Sequence, residues 1–144
     1  MSDMQPRTPP RDEPVPTGFE DFDQAVRRHQ APVERLVSRE VFGSDAPVYG
    51  YTTPAQAQAL AVNLRLRLGM RLLDIGAGRG WPALYLTKLT GCESVLSDVP
   101  SVGLREAMRQ ASREGIRSTF VRAPGAMLPF RPQTFDAIVH TDVL

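Results

Sequence analysis

The stretch "LLDIGAGRGW", residues 72–81, constrains the fold more than any other part of the chain. A short apolar run ends at Asp74-Ile75, then Gly76, Gly78 and Gly80 follow, then "WPALYLTKLT" at helical spacing. Strand, glycine turn and helix in that order form one half of a βαβ unit; the turn can cradle a ligand, because glycine lets the backbone come close, or can serve a purely structural turn. Three ligand classes compete for such a loop: a nucleoside triphosphate, a dinucleotide and a sulfonium nucleoside. A triphosphate loop ends in Gly-Lys-Ser/Thr, and here no lysine or hydroxyl follows the last glycine. A dinucleotide loop reads G-x-G-x-x-G, and Trp81 stands where its third glycine belongs. The dinucleotide reading, a Rossmann-type NAD-binding oxidoreductase, is therefore an alternative rather than the first choice.

The rest of the chain extends the pattern. "ESVLSD" is a second strand, "SVGLREAMRQASRE" a helix that Ser101 can cap, with Leu104, Ala107, Met108 and Ala111 on its apolar face. "STFVRA" is a third strand, "PGAMLPFRPQT" a loop and "FDAIVH" a fourth strand. Ahead of the glycine loop, Thr53-Pro54-Ala55-Gln56 predicts a capped helix start, followed by Ala57, Leu60, Ala61, Leu64 and Leu68, with Gly69 as its stop. Residues 18–50 read as two short helices split by Pro32, and residues 1–17, with five prolines, as a disordered tail. Alternating strands and helices imply a parallel sheet with right-handed crossovers. The expected fold is thus α/β, a Rossmann-like doubly wound sheet of about four strands over residues 51–144. Ligands in such sheets sit beyond the carboxyl ends of the strands.

Composition excludes several classes. Seventeen Lys and Arg against 16 Asp and Glu leave a net charge of +1, too little for a strong hold on nucleic acid or an anionic membrane. Cys92 is the one cysteine, and His29 and His140 are the only histidines, so no zinc spacing exists and no metal is expected. No apolar stretch approaches a membrane span. A cytoplasmic protein is the expectation, and the Arg-, Ala- and Pro-rich usage accords with a bacterial source.

Asp74 closes the first strand, and Asp98 closes the second about 20 residues beyond the loop, where a carboxylate can accept ribose hydroxyls or else cap the next helix. "LLDIGAGRGW", "VLSDVP" and "LPF…TFDAIVHTDVL", in that order, resemble the class I S-adenosylmethionine-dependent methyltransferases. The resemblance covers residues 52–144 and implies S-adenosylmethionine as cofactor and a small molecule as methyl acceptor. It implies that Gly76, Ala77, Gly78 and Gly80 let the backbone approach the cofactor, and that Asp74 helps place its ammonium. Asp98 would bind the ribose, and Val99 would pack on the adenine. The helix start near Trp81 would face the carboxylate. Backbone of His140 and Thr141 would meet the methionine end, and Tyr51 and Thr52 would pack or close over the loop. His140 and Asp142 are the candidate bases.

Two departures from the family pattern stand out. Where many relatives carry an Asp for the adenine amino group, this chain has Pro124, so base contact would rest on Gly125, Ala126 and Met127. The family's sheet normally has seven strands in the order 3-2-1-4-5-7-6, and Leu144 falls just after the fourth. The expectation is a truncated, cofactor-binding half with strand order 3-2-1-4. Self-association through the exposed fourth strand is expected, and a degenerate, non-catalytic binding fragment is the alternative.

Overall fold

The computed structural model describes residues 50–141, so the expected tail at 1–17, the helices expected within 18–49 and the candidate base Asp142 lie outside the described residues. The first helix, α1 (Pro54–Asn63), begins where the capping signal places it. The Thr53 hydroxyl accepts from the Gln56 N–H at 3.2 Å, and the Thr53 N–H donates to Gln56 Oε1 at 2.8 Å. It ends earlier than its apolar spacing predicts. Arg65 takes a positive φ of 51° and Leu66 donates back to the Ala61 carbonyl at 3.0 Å. Leu66 lies off the helix stripe, and breaking the helix is what buries it, while Leu68 is left 77% exposed.

Four parallel strands follow: β1 (Arg71–Ile75), β2 (Glu93–Asp98), β3 (Ser118–Arg122) and β4 (Ala137–Val139). They stand in the order β3-β2-β1-β4, as the alternating pattern predicts. Helix α2 (Ala83–Thr90) links β1 to β2 and stops at Gly91; helix α3 (Ser101–Glu114) links β2 to β3. Ser101 does not cap α3: Pro100 holds that position, and the Ser101 hydroxyl accepts from Arg105 at 2.8 Å. Met108 is half exposed, and Val102 and Gly103 take up the buried face instead, because α3 tilts its first turn onto the glycine loop.

Register explains how the core is layered. Leu72 pairs with Ala137 and Ser94, Asp74 with Val139 and Leu96, and Leu96 with Phe120. Register neighbours in a sheet project to the same face. On that face Leu72, Ala137 and Val139 pack with Ala61, Leu66 and Leu86, while Leu96 packs with Leu84, Leu104, Ala107 and Ala111. All three helices therefore cover one face. The segment after β3 meets the other, where the Ser97 hydroxyl donates to the Ala123 carbonyl at 3.1 Å. That segment then returns to the start of β1, where the Arg71 N–H donates to Asp136 at 2.7 Å and Phe130 meets Phe135 edge-on at 4.9 Å. Among the described residues no helix is long and apolar enough to cross a membrane.

Helix α3 touches the glycine loop directly. A Cβ at Gly103 would lie 2.8 Å from the Gly78 carbonyl oxygen, a backbone atom that cannot swing away. Gly103→Ala is expected to cost about 1–3 kcal/mol through overpacking. Chemical denaturation checks it; a midpoint equal to wild type would show that α3 can retreat freely.

Candidate functional site

The carboxyl ends of β1 and β2 carry the expected residues side by side. The Gly76 and Ala77 N–H groups both donate to the Ser97 carbonyl, at 2.8 and 3.1 Å, which ties the glycine loop to β2. Asp98 completes the tie: its Oδ2 accepts from the Gly78 N–H at 2.6 Å and its Oδ1 from the Val99 N–H at 2.7 Å. Asp98 thus bonds to the loop rather than capping α3. Each carboxylate oxygen keeps a further lone pair for a ligand. Burial raises the Asp98 carboxyl above its ordinary value, and the Gly78 and Val99 amides pull it partly back.

The glycines divide into two jobs. Gly78 has a φ of 52° and open space where a side chain would stand, so its outer side is free for a ligand. Gly80 has a φ of 96°, but its empty side is already filled: a Cβ there would lie 2.6 Å from Leu84 Cδ1 and 3.1 Å from the Ala107 Cβ. Gly80 is needed for packing α2 and α3 against the loop. Packing alone therefore accounts for a glycine at position 80.

Trp81 also has a structural partner. It is 7% exposed, its indole N–H donates to the Thr52 carbonyl at 2.8 Å, and its ring lies 5.2 Å from that of Tyr85. The Thr52 end of the entering segment is thereby fixed against the start of α2, while Tyr51 is 88% exposed. In the first turn of α2, Pro82 has no N–H and the Leu84 N–H donates to the Gly80 carbonyl at 2.8 Å. That leaves this helix start with fewer donors for an anion than its sequence suggests.

Asp74 is the anomaly. Other buried polar side chains are satisfied: Thr87 of α2 donates to Ser94 at 2.8 Å, and Ser94 and Ser118 share a bond of 2.7 Å. Asp74 is fully buried, and neither of its oxygens has a partner in hydrogen-bond geometry. Burial pushes its carboxyl well above the ordinary value, the like charge of Asp98 adds to the rise, and the nearby Ala83 amide offsets only part. A charge buried in this way without a partner is costly.

The remaining candidates fall around this centre. The Ala123 N–H donates to the Asp98 carbonyl at 3.1 Å, so the segment after β3 starts beside Asp98. Gly125 comes close to the end of β1, its Cβ position lying 3.1 Å from Ile75 Cγ2. Gly125, Ala126 and Met127 are all exposed, and the Met127 N–H is taken by the Pro124 carbonyl at 2.9 Å. His140, exposed, and Thr141, half-buried, follow the Asp74–Val139 register pair at the end of β4. Sequence reasoning overlooked two supports, Gly103 and the Arg79–Glu106 ion pair at 2.8 Å. Gly103 was detectable, since a glycine inside a helix costs about 1 kcal/mol against alanine and needs a packing reason. Among the described residues no three His, Cys, Asp or Glu gather closely enough to hold a metal.

Asp74 sets a stability test. Its folded-state affinity for a proton exceeds that of the unfolded chain, so its stability contribution is whole below the ordinary aspartate value and is lost as pH rises through its own raised value. Asp74→Asn should therefore raise the melting temperature near neutral pH, with the gain shrinking as pH falls toward the aspartate range. Melting curves across pH check this, and a lower melting temperature at neutral pH would contradict it.

Known proteins share this arrangement. A sterol 24-C-methyltransferase of Gibberella zeae is 32% identical over 81 residues, covering 55% of this chain and 21% of its own length. A ubiquinone/menaquinone biosynthesis C-methyltransferase of Coxiella burnetii is 35% identical over 79 residues, covering 52% of this chain and 32% of its own. The chain thus spans between a fifth and a third of these relatives. The solved structure of a geranyl diphosphate methyltransferase, in complex with GPP and sinefungin, superposes with a TM-score of 0.70 at 20% identity, covering 85% of this chain and 54% of that one, which shows the shared fold. The family model described as a methyltransferase domain matches residues 72–144, half of the chain, starting at the second residue of β1. With the glycine loop, the two strand-end aspartates and the 3-2-1-4 sheet in place, the chain belongs to the methyltransferase domain family.

Proposed function

We propose that residues 51–144 bind S-adenosylmethionine across the carboxyl ends of β1 and β2 and serve methyl transfer to a small-molecule acceptor. The observation that carries this reading is Asp74, whose buried carboxylate has no partner and suits an ammonium group. Asp98 would accept the ribose hydroxyls on its remaining lone pairs, and Gly78 would leave room at its open side. Val99 and the segment Gly125, Ala126 and Met127 would border the adenine. Backbone groups of His140 and Thr141 would meet the methionine end. A bound S-adenosylmethionine supplies an electrophilic sulfonium methyl, so the protein's task is alignment and exclusion of water. His140 is the proposed base for any acceptor that must lose a proton.

The near-neutral charge balance favours a small molecule over nucleic acid as acceptor. Two relatives are named for methyl transfer to carbon, which makes carbon the first acceptor atom to test. The oxidoreductase alternative draws no support from this geometry. A dinucleotide would bring its pyrophosphate to the loop, beside a buried carboxyl group that offers it no counter-charge. A cytoplasmic setting is part of the same proposal.

Calorimetric titration should show S-adenosylhomocysteine binding and NAD failing to bind. Asp98→Ala should weaken binding by about 1.5–3 kcal/mol, the range for a hydrogen bond to a charged group. Equal affinity in both versions would remove Asp98 from the site. Gly78→Val should abolish binding, because a branched side chain would fill the open side of the loop.

Self-association belongs to this proposal as well. Among the described residues β4 pairs only with β1, and Ile138 beside its open edge is 55% exposed. Such an edge is a template for another strand. Sedimentation of the 144-residue chain should show a dimer that grows with concentration. A monomer throughout would exclude pairing through β4.

A further inference from the structure

We infer that ligand binding at this site is coupled to a proton on Asp74: the free chain carries the carboxylic acid, and an entering ammonium expels its proton to solvent. This rests on the binding proposed above. The balance is simple. Asp74 goes from acid to carboxylate, the ligand's ammonium keeps its charge, and one proton leaves to the buffer.

The geometry that carries the inference is a carboxyl group with no access to water and no donor in hydrogen-bond geometry on either oxygen, the Ala83 amide being near but not aligned. A charge so placed is expensive, and the acid form removes it. Among the described residues, the surrounding elements bring no free cation to it. Helix α1 has no ionisable side chain. Helix α2 brings Lys88, exposed and paired with Glu114 at 2.9 Å, and Tyr85, whose hydroxyl accepts from Gln58 at 2.9 Å. The glycine loop brings Arg79, which is paired with Glu106 of α3 at 2.8 Å. His140 beyond β4 is exposed. The one ionisable group that acts on Asp74 by its charge is Asp98 of β2, and it favours the acid form. An ammonium arriving beside Asp74 reverses that preference, since opposite charge at contact stabilises the carboxylate.

The test uses the full chain and S-adenosylhomocysteine. Titration at about pH 6, where an α-ammonium stays charged, is repeated in buffers of different ionisation enthalpy. The expected result is release of up to about one proton per ligand, and an affinity that rises up to about tenfold per pH unit before levelling off. Infrared difference spectra should show a protonated-carboxyl C=O band in the free chain that vanishes on binding. That band should be absent from Asp74→Asn and present in Asp98→Asn, which assigns it without requiring either variant to bind. Binding with heats independent of buffer, or a band that survives in Asp74→Asn, overturns the coupling and leaves the binding proposal intact. No binding in any buffer overturns both.

Discussion

The tether between the glycine loop and β2 organises everything around it. Three consecutive amides, of Gly76, Ala77 and Gly78, are all spent on β2, two on the Ser97 carbonyl and one on the Asp98 carboxylate. A loop with this many positive-φ residues would otherwise sample many conformations, at an entropic cost of about 1–2 kcal/mol per residue to fix. Fixing it from β2 places the loop's open side, the end of β2 and the buried Asp74 at the same end of the sheet. The ion pair of Arg79 with Glu106 and the contact of Gly103 with Gly78 then brace the loop from α3.

The same tether gives Asp98 a double function. Its two oxygens each take one backbone amide, so the carboxylate is oriented before any ligand arrives. A group held in this way loses little freedom on binding, which is the physical basis of preorganisation. The cost is burial of a charge, and the two amide bonds are what keep that cost tolerable. Asp74 lacks such compensation, which is why the two aspartates differ so much in character, although Asp98 lies only two residues beyond the register partner of Asp74.

Much of this was legible in the sequence. The strand order, the bounds of β2 and α3, and the start of α1 follow from alternation, capping and glycine stops that act locally. What failed to show was decided by packing between distant segments. The stripe through Leu64 and Leu68 is a good helix pattern, yet burying Leu66 against Leu72 and Leu86 outweighs it. Gly78 and Gly80 look alike in the motif and differ only because Leu84 and Ala107 come to occupy one of them. Ser101 is a reasonable cap in sequence, but the chain turns into α3 at Pro100, one residue sooner. The site residues were legible as types, since a strand-end carboxylate is visible in a string of letters. That Asp74 has no partner was not, because the absence of a donor belongs to three dimensions.

The bond from the Trp81 indole to the Thr52 carbonyl has an optical consequence. The chain has one tryptophan, so its entire indole emission comes from the junction between the segment entering α1 and the start of α2. The ring is nearly dry, and its N–H is held by a backbone oxygen instead of water. Loosening of the entering segment would hydrate that N–H and shift the emission to the red, without need of a label. The protein therefore carries a native fluorophore at the joint where the segment entering α1 meets the glycine loop.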